Sequence, residues 1–455
     1  MWLATESQPD DDYPRDVLND PLRRQELMKL HIKNGRLIDP ANGIDAQQDV
    51  YVAAGKIVGV GQAPADFVAN KTIDATGLIV APGLVDLSAR LREPGYEYKA
   101  TLESEMQAAI QGGVTSLVCP PDTDPVLDEP GLVEMLKHRA RSLNQAHVYP
   151  LGALTAGLKG KALTEMAELT EAGCIGFSQA EEPITDTTVL LSALQYAKTF
   201  NYTVWLRPQD PHLGRSGIAH SGPAASRLGL SGVPVMSETI ALYTLFELMR
   251  ATGARVHLCR MSSAAGLELV RQAKSEGLPV TCDVGVHHIH LCDLDIGFFD
   301  SNARMTPPLR SQRDREAIRT ALLDGTIDAV CSDHTPVDDD EKLLPFGEAS
   351  PGATGLELLL SLSLKWALET EGQGKEVLSK AISKVTHRAA KVAGLKAGNL
   401  AVGSAADLCL FDPNALWKVQ GAALASQGKH TPFLGYELPG VVKATIVSGH
   451  IAFER

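Results

Sequence analysis

The chain has 455 residues, of which 44% are hydrophobic and 21% are charged, and this balance excludes an intrinsically disordered protein. Its formal net charge of −13 argues against nonspecific binding to nucleic acid. The sequence has no apolar stretch long enough to span a bilayer, and its first residues lack the basic and apolar segments of a secretory signal, so we expect a cytoplasmic protein.

The chain begins with a polar extension, residues 1–28, which is followed by a segment with the pattern of a small β-sheet, residues 29–80. In this second segment, short apolar runs are interrupted by turn-forming pairs such as Asn34-Gly35 and Asn42-Gly43. We therefore expect short strands joined by tight turns there, and no helical domain.

From residue 81 to residue 393 the pattern changes to an alternation of apolar strand-like runs and amphipathic helices. Helices are predicted near residues 99–111 and 130–143, over Met236–Thr252 and over Ala265–Gly277. The strand-like runs number eight and lie near residues 84–90, 115–119, 147–154, 174–178, 203–207, 255–260, 278–284 and 328–333. Eight strand–helix units over roughly 280 residues predict an α/β fold, a (β/α)8 TIM barrel, in which chemistry takes place at the carboxyl ends of the strands.

After the barrel, residues 394–455 return to a pattern of short strands, near residues 407–411 and 441–453. Seven cysteines are present, an odd number without a Cys-x-x-Cys pair, and most of them lie in apolar strand-like runs. We therefore expect buried, reduced thiols and no disulfide framework.

The first barrel strand carries the most informative motif. Residues 82–95 read Pro-Gly-Leu-Val-Asp-Leu-Ser-Ala-Arg-Leu-Arg-Glu-Pro-Gly, and the period of two in a strand places Asp86, Ser88 and Arg90 on one face. The segment resembles the first strand of type I dihydroorotases, a family of the amidohydrolase superfamily whose members carry Asp-x-His-x-His-x-Arg-Glu-Pro-Gly. Ser88 and Arg90 stand where the family has two zinc-binding histidines.

The resemblance extends from about Leu30 to the C-terminus and implies the family's architecture, a barrel beside a small β-sandwich built from the N-terminal and C-terminal segments. Scaffold motifs are kept outside the barrel mouth, as in Gly112-Gly113-Val114-Thr115, Leu228-Gly229-Leu230 and Thr431-Pro432-Phe433-Leu434-Gly435. The expected divisions are residues 1–28, 29–80, 81–393 and 394–455.

The resemblance also implies where the remaining metal ligands would lie. Gln179 replaces the bridging carboxylate, Arg207 and Arg260 replace the histidines of strands five and six, and Asp333 alone is kept, as the family's metal ligand and general base. A guanidinium group has no lone pair for a cation, so Arg90, Arg207 and Arg260 cannot replace histidine as ligands. We therefore expect zinc, which the family's active members use, to be absent from this chain.

Two interpretations of the three arginines are open. The favoured one is that they pair with carboxylates and fill the mouth, and the candidate partners are Asp86, Asp122, Asp333 and the Glu181-Glu182 pair. In the other, the same cationic mouth binds a small anion such as a carboxylate metabolite.

The positions that hold substrate in the resembled family have changed as well. Asp122 stands in Cys119-Pro120-Pro121-Asp122-Thr123 where the family has the asparagine of Met-Pro-Asn-Thr, and Thr306 replaces the asparagine of Asn-Pro-Pro-Leu-Arg. Val337 replaces a histidine. Arg92 remains, and it could still hold a carboxylate.

A group of histidines lies on or just after strand seven. His287, His288 and His290 are flanked by Cys282 and Cys292, and an extended segment would place His288, His290 and Cys292 on one face, which suits zinc. The resembled family keeps its His-His pair outside the metal shell, so a structural role is favoured here.

Two hypotheses for the function follow. The chain resembles the inactive dihydroorotase-like chain that assembles with aspartate carbamoyltransferase catalytic chains, and in that family the two form a dodecamer on which the transferase depends. The alternative is an active dihydroorotase or another cyclic amidohydrolase with an unorthodox metal site, built from Asp333 and the strand-seven histidines. The first is favoured because hydrolysis needs an activated water and five of the six groups that would bind the activating metal are replaced.

Overall fold

The computed structural model describes residues 28–370 and 374–455, so the polar extension expected at residues 1–28 lies outside the described residues apart from Met28. The chain first forms short strands whose inward positions are apolar, as Leu30 and Ile32 are in the first of them. These strands are β1 (Lys29–Lys33), β2 (Arg36–Asp39), β3 (Ile44–Gln47), β4 (Val50–Ala53), β5 (Lys56–Val60), β6 (Lys71–Asp74) and β7 (Ile79–Pro82).

The barrel follows directly. Its strands are β8 (Leu84–Asp86), β9 (Val114–Cys119), β10 (His147–Pro150) continued by β11 (Gly152–Ala153), β12 (Phe177–Ser178), β13 (Thr203–Leu206), β16 (Arg255–Leu258), β17 (Val280–Gly285) and β18 (Ala329–Cys331). Neighbouring strands pair in parallel, and a parallel bridge between Ala89 and His334 joins the eighth strand to the first. A short parallel pair, β14 (Ala219–His220) and β15 (Gly232–Val233), lies outside the barrel.

Helices connect the barrel strands, and capping residues mark where they begin and end. The Thr101 hydroxyl accepts a hydrogen bond from the Ser104 backbone N–H at the start of the first helix, and Gly253, with φ of 69°, ends the longest one. The helices are α1 (Leu102–Gln111), α2 (Pro130–Ser142), α3 (Met166–Ala172), α4 (Thr187–Thr199), α5 (Pro223–Leu228), α6 (Met236–Thr252), α7 (Ala264–Ser275), α8 (Gln312–Asp324), α9 (Asp339–Lys342), α10 (Leu359–Glu369), α11 (Gly374–Lys384) and α12 (His387–Ala393).

The last strands return to the first sheets. They are β19 (Leu408–Lys418), β20 (Glu437–Val447) and β21 (His450–Glu454). They extend a six-stranded sheet of order β21-β20-β19-β7-β2-β3, and a four-stranded sheet has the order β5-β4-β1-β6. One apolar cluster unites buried side chains of both sheets, including Leu30, Val52, Val80, Leu408 and Ile446. Segments that are distant in sequence thus share one core beside the barrel.

The predicted eight-stranded barrel is confirmed, but its first strand is shorter than expected. β8 ends at Asp86, whose carboxylate accepts the backbone N–H of Ser332 at 2.8 Å. The described residues contain no helix that is both long and apolar enough to cross a bilayer. All seven cysteines are free thiols and six are buried, as expected.

Candidate functional site at the barrel mouth

The residues at the degenerate ligand positions meet at the carboxyl ends of the barrel strands. Arg90 follows β8, Arg207 follows β13, Arg260 follows β16 and Asp333 follows β18. Their side chains are at most 6% exposed, so each of these charges has been removed from water. Removal of a charge from water is costly unless a partner of opposite charge is in contact.

Glu181, in the loop after β12, is that partner for all three arginines. Arg90 Nη2 and Arg260 Nη2 lie 2.7 and 2.5 Å from its Oε1. Arg207 Nε lies 2.5 Å from its Oε2, and Arg207 Nη2 donates a hydrogen bond to its backbone carbonyl at 3.0 Å. A single carboxylate therefore joins strand ends from three parts of the barrel.

Two further carboxylates complete the charge balance. Arg90 Nε donates to Asp122 Oδ2 at 2.7 Å, and Arg260 Nη1 donates to Asp333 Oδ1 at 3.1 Å. Arg90 Nη1 lies 3.8 Å from the same Asp333 oxygen. Three guanidinium groups thus face three carboxylates, and we call these six residues (Arg90, Arg207, Arg260, Asp122, Glu181 and Asp333) the arginine plug. The pairing expected with Asp122, Glu181 and Asp333 is confirmed.

Burial and the neighbouring charges shift the pKa values of the two plug carboxylates Glu181 and Asp333 in opposite directions. Burial alone would raise the pKa of Glu181, but Arg260, Arg207 and Arg90 outweigh it and hold that pKa well below its usual range. Burial raises the pKa of Asp333 to about 6, against the opposing effect of Arg260 and Arg90. Burial also lowers the pKa of Arg207, whose only carboxylate contact within the plug is Glu181.

The backbone at these strand ends is strained. Arg260 has φ of 55°, Asp333 has φ of 50°, and Ala180, which precedes Glu181, has φ of 49°. This left-handed region costs a non-glycine residue roughly 1–2 kcal/mol, and such residues concentrate at functional sites. The barrel mouth therefore keeps a specialised backbone although its ligand side chains have been replaced.

The other two degenerate positions are held by neutral contacts. Gln179 accepts a hydrogen bond from Thr155 Oγ1 at 3.0 Å and donates one to the Leu158 carbonyl at 2.8 Å, so both ends of its amide are occupied. Ser88 is buried, and its backbone carbonyl accepts the His334 N–H at 3.1 Å. Asp86, expected as an arginine partner, instead binds Ser332 through both carboxylate oxygens.

These residues do not fit the zinc site of the resembled family. The three arginines offer no lone pair, the Gln179 amide is already engaged, and Asp333 is bound to Arg260. Over residues 28–370 and 374–455, no group of three or more His, Cys, Asp or Glu side chains is placed to hold a metal ion.

The strand-seven histidines are dispersed and do not form one face. The extended segment expected there is wrong, because Val286–Ile289 forms a 3-10 turn after β17. His288 Nε2 lies 3.1 Å from the Pro307 carbonyl in the loop before α8, and His290 Nε2 lies 2.9 Å from the Leu362 carbonyl in α10, so the two rings contact different elements. The His287 ring stacks on Phe433 at 5.7 Å. Within residues 28–370 and 374–455, these contacts do not gather the three rings and Asp333 into one ligand set.

Comparison with known proteins agrees with this scaffold. Residues 77–265 match the family described as dihydro-orotase-like, and residues 229–452 match the amidohydrolase family. A dihydroorotase-like protein of Pseudomonas aeruginosa is 45% identical over 432 residues, which cover 94% of this chain and 100% of that protein. The chain belongs to the dihydroorotase-like family. A dihydroorotase of a Geobacter species is 40% identical over 427 residues and is likewise covered in full.

Solved structures of hydantoinases share the fold of this dihydroorotase-like chain. The L-hydantoinase (dihydropyrimidinase) from Arthrobacter aurescens superposes with a TM-score of 0.83 at 24% identity, covering 94% of this chain and 96% of that one. A D-hydantoinase gives a TM-score of 0.78 at 23% identity, with 93% and 95% covered. At these identities the likeness concerns the fold, a TIM barrel of the amidohydrolase type.

The predicted substrate positions are used for internal contacts. Arg92 Nε donates to the Pro336 carbonyl at 2.9 Å, and the Thr306 carbonyl accepts from Arg260 Nη1 at 3.2 Å. Val337 is buried. Asp122 and Glu181 of the plug also line a cavity of about 810 Å³, together with Glu182, Lys159, His212 and Arg215. Because the three plug arginines are already paired with carboxylates, they give no support to the hypothesis of an anion-binding mouth.

Sequence reasoning missed the central position of Glu181. It named Glu181 only as one of several possible partners, and it did not name Thr335, whose hydroxyl accepts from Arg90 Nη1 at 3.0 Å. The signal that was available is the spacing, since Glu181 follows Gln179 by two residues at the end of β12. An acid two residues from a changed ligand position, together with arginines at three other strand ends, indicates that arginine–carboxylate pairs stand where the resembled family holds its metal.

Proposed function

We propose that this chain is a catalytically inactive dihydroorotase-like protein that serves as a non-catalytic, cytoplasmic subunit for aspartate carbamoyltransferase in pyrimidine biosynthesis. The proposal has two parts, the loss of catalysis and the assembly with a partner, and they rest on different observations.

The arginine plug carries the first part. Hydrolysis or closure of a cyclic amide in this superfamily uses a metal-activated water at the strand ends. In this chain the same volume holds guanidinium groups in contact with Asp122, Glu181 and Asp333, and Asp333 has Arg260 within 3.1 Å. The one retained acid is thus engaged in an ion pair, and the described residues place no metal-binding ligand set beside it.

The second part rests on the family resemblance. This chain resembles the inactive dihydroorotase-like chains that assemble with aspartate carbamoyltransferase catalytic chains, and in that family the two kinds of chain form a dodecamer. The relatives from Pseudomonas aeruginosa and Pseudomonas putida are described as dihydroorotase-like. A barrel that keeps its fold without its metal-ligating side chains contributes through the surface that it presents to a partner. An obligate interface of this kind buries on the order of 2,000 Å² or more.

The test is reconstitution. Aspartate carbamoyltransferase catalytic chains from the same cell are purified alone and after co-expression with this chain, and mass and transferase activity are measured by size exclusion with light scattering and by assay. The proposal predicts a stable hetero-oligomer and an activity that is low or unstable without this chain. Separate elution at micromolar concentration, with equal activity alone, would show the proposal to be wrong.

Two observations favour the alternative of an active cyclic amidohydrolase. Relatives described as dihydroorotases are 38–40% identical to this chain over nearly its whole length, and the pKa of Asp333, raised by burial to about 6, lies in the range useful to a general base. Turnover of carbamoyl aspartate or dihydroorotate by the isolated chain distinguishes the two functions.

A further inference from the structure

Two loops at the carboxyl end of the barrel expose large apolar side chains. The first loop follows β17 and the second follows β18, on the same end of the barrel as the arginine plug. Phe298 is 92% exposed and Leu343 is 80% exposed, which is unusual for such residues. We call the group the apolar patch, and its members are Leu294, Phe298, Phe299, Leu343 and Leu344.

The two loops are fixed to one another, so the patch has a firm support. Ser301 Oγ donates to the Lys342 carbonyl at 2.7 Å, and Arg304 Nη1 donates to the Phe346 carbonyl at 2.6 Å. The Lys342 ammonium is buried and donates to the carbonyls of Ser350 and Gly352 at 2.9 and 2.7 Å. Side chains held in place before binding lose less entropy when a partner arrives.

The same loops are connected to the arginine plug. Arg260 Nη1 donates to the Thr306 carbonyl at 3.2 Å, and the Arg304 carbonyl accepts the Gly352 N–H at 3.0 Å. The plug therefore contacts the loop that displays Phe298. A mouth without catalytic ligands still supports the surface next to it.

The charge around the patch selects the kind of partner. Residues 293–300 and 338–348 contain eight acidic side chains and one basic side chain, Lys342, which is buried. The exposed acids are Asp295, Asp300, Asp339, Asp340 and Glu348. Such a border repels nucleic acid and anionic membranes, and it disfavours a two-fold contact between two copies of this patch, because like charges would face each other.

We propose that the apolar patch binds a protein partner with an apolar recess bordered by lysine and arginine side chains. The inference deepens the proposed function and rests on it, since the partner is then the catalytic chain of the carbamoyltransferase. Phe298 and Leu343 fill the recess, and the acidic border pairs with the basic rim and orients the encounter.

The experiment compares matched pairs of variants in binding to purified catalytic chains. The patch variant is Phe298→Ser with Leu343→Ser, and its control is Val68→Ser with Val402→Ser, which are 74% and 66% exposed outside the two loops. The patch variant should raise the dissociation constant on the order of 100-fold or more, and the control should leave it unchanged. Thermal unfolding of each variant verifies that it folds.

A second pair tests the charge. The charge variant is Asp340→Lys with Glu348→Lys, and its control is Glu134→Lys, an exposed acid on α2. Binding of the wild-type chain should weaken as salt rises from about 50 to 500 mM, because the screening length shortens, whereas the charge variant should bind more weakly at low salt and lose this dependence.

The outcomes separate the two proposals. If the wild-type chain does not bind the catalytic chains, the proposed function is wrong and this assignment of the patch is wrong with it. If the wild-type chain binds and the patch variant binds equally well, the patch inference alone is overturned. A wild-type chain that self-associates, and becomes monomeric as Phe298→Ser with Leu343→Ser, would show that the patch joins copies of this chain, which also overturns the inference.

Discussion

Arg260 and Asp333 meet across the barrel mouth at 3.1 Å, although the strands that carry them, β16 and β18, are separated by β17. Both residues have a left-handed backbone conformation, and Gly285, the last residue of β17, lies next to Asp333. A Cβ at Gly285 would lie 3.3 Å from Asp333 Cβ, tighter than most such contacts. The ion pair therefore depends on the backbone of three consecutive strands.

The first prediction concerns metal content. The purified chain should hold no stoichiometric zinc at the mouth, because Arg90, Arg207 and Arg260 occupy ligand positions with groups that cannot donate to a cation. Elemental analysis by mass spectrometry measures this, with an active zinc-dependent dihydroorotase purified in parallel. Two metal ions per chain that are lost in Asp333→Asn would contradict the inactive assignment.

The second prediction concerns turnover. Neither closure of carbamoyl aspartate nor opening of dihydroorotate should exceed the background rate with this chain alone, with or without added zinc. A general base contributes about 10²–10⁴-fold only with a proton or water within reach, and Asp333 Oδ1 is in contact with Arg260. A rate above background that disappears in Asp333→Asn would refute the prediction, and Glu182→Gln serves as the control.

The third prediction concerns stability. Arg90→His restores a family ligand but removes the contacts to Asp122 and Glu181 at 2.7 Å. Because these carboxylates then lack one buried partner, the free energy of unfolding should fall by about 3–5 kcal/mol. Chemical denaturation measures the change. The control Arg271→His removes two ion pairs, with Glu268 and Asp324, of a side chain that is 44% exposed, and it should change the free energy of unfolding by only about 0–1 kcal/mol per pair. Equal changes in both would contradict a structural role for the plug.

The fourth prediction concerns pH. The three arginines lower the folded-state pKa of Glu181, so its contribution to stability is present above the unfolded pKa, near 4.3, and is lost as the pH falls through the lower folded value. Glu181→Gln should therefore lower the melting temperature strongly at pH 7, and the difference from wild type should narrow below about pH 4. Thermal unfolding across this range tests it, with exposed Glu182→Gln as the control. A difference that stays constant with pH would argue against the lowered pKa.

The sequence predicted the barrel well because strand and helix periods record which faces are buried. It also predicted that Arg90, Arg207 and Arg260 lie at the mouth, since they replace ligands of a known scaffold. It did not predict that one acid, Glu181, joins all three, because that position depends on the loop after β12 and on the left-handed Ala180.

The conformation around the histidines after β17 also could not be predicted from the local sequence pattern. The pattern at residues 287–290 fits an extended strand, yet the chain turns there, and the rings of His288 and His290 contact the carbonyls of Pro307 and Leu362, which are 19 and 72 residues away. Such partners are fixed by tertiary packing, which a local pattern does not contain.

Because three guanidinium groups share Glu181, substitutions of these four residues at the barrel mouth are coupled to one another. A chain in which only one arginine becomes histidine keeps half-buried or buried carboxylates with too few positive partners, and a chain in which only Glu181 is lost keeps three guanidinium groups close together. A stepwise route toward a metal centre thus passes through unstable intermediate sequences. Redesign of this mouth as a metal centre therefore calls for simultaneous exchange of the whole charged group.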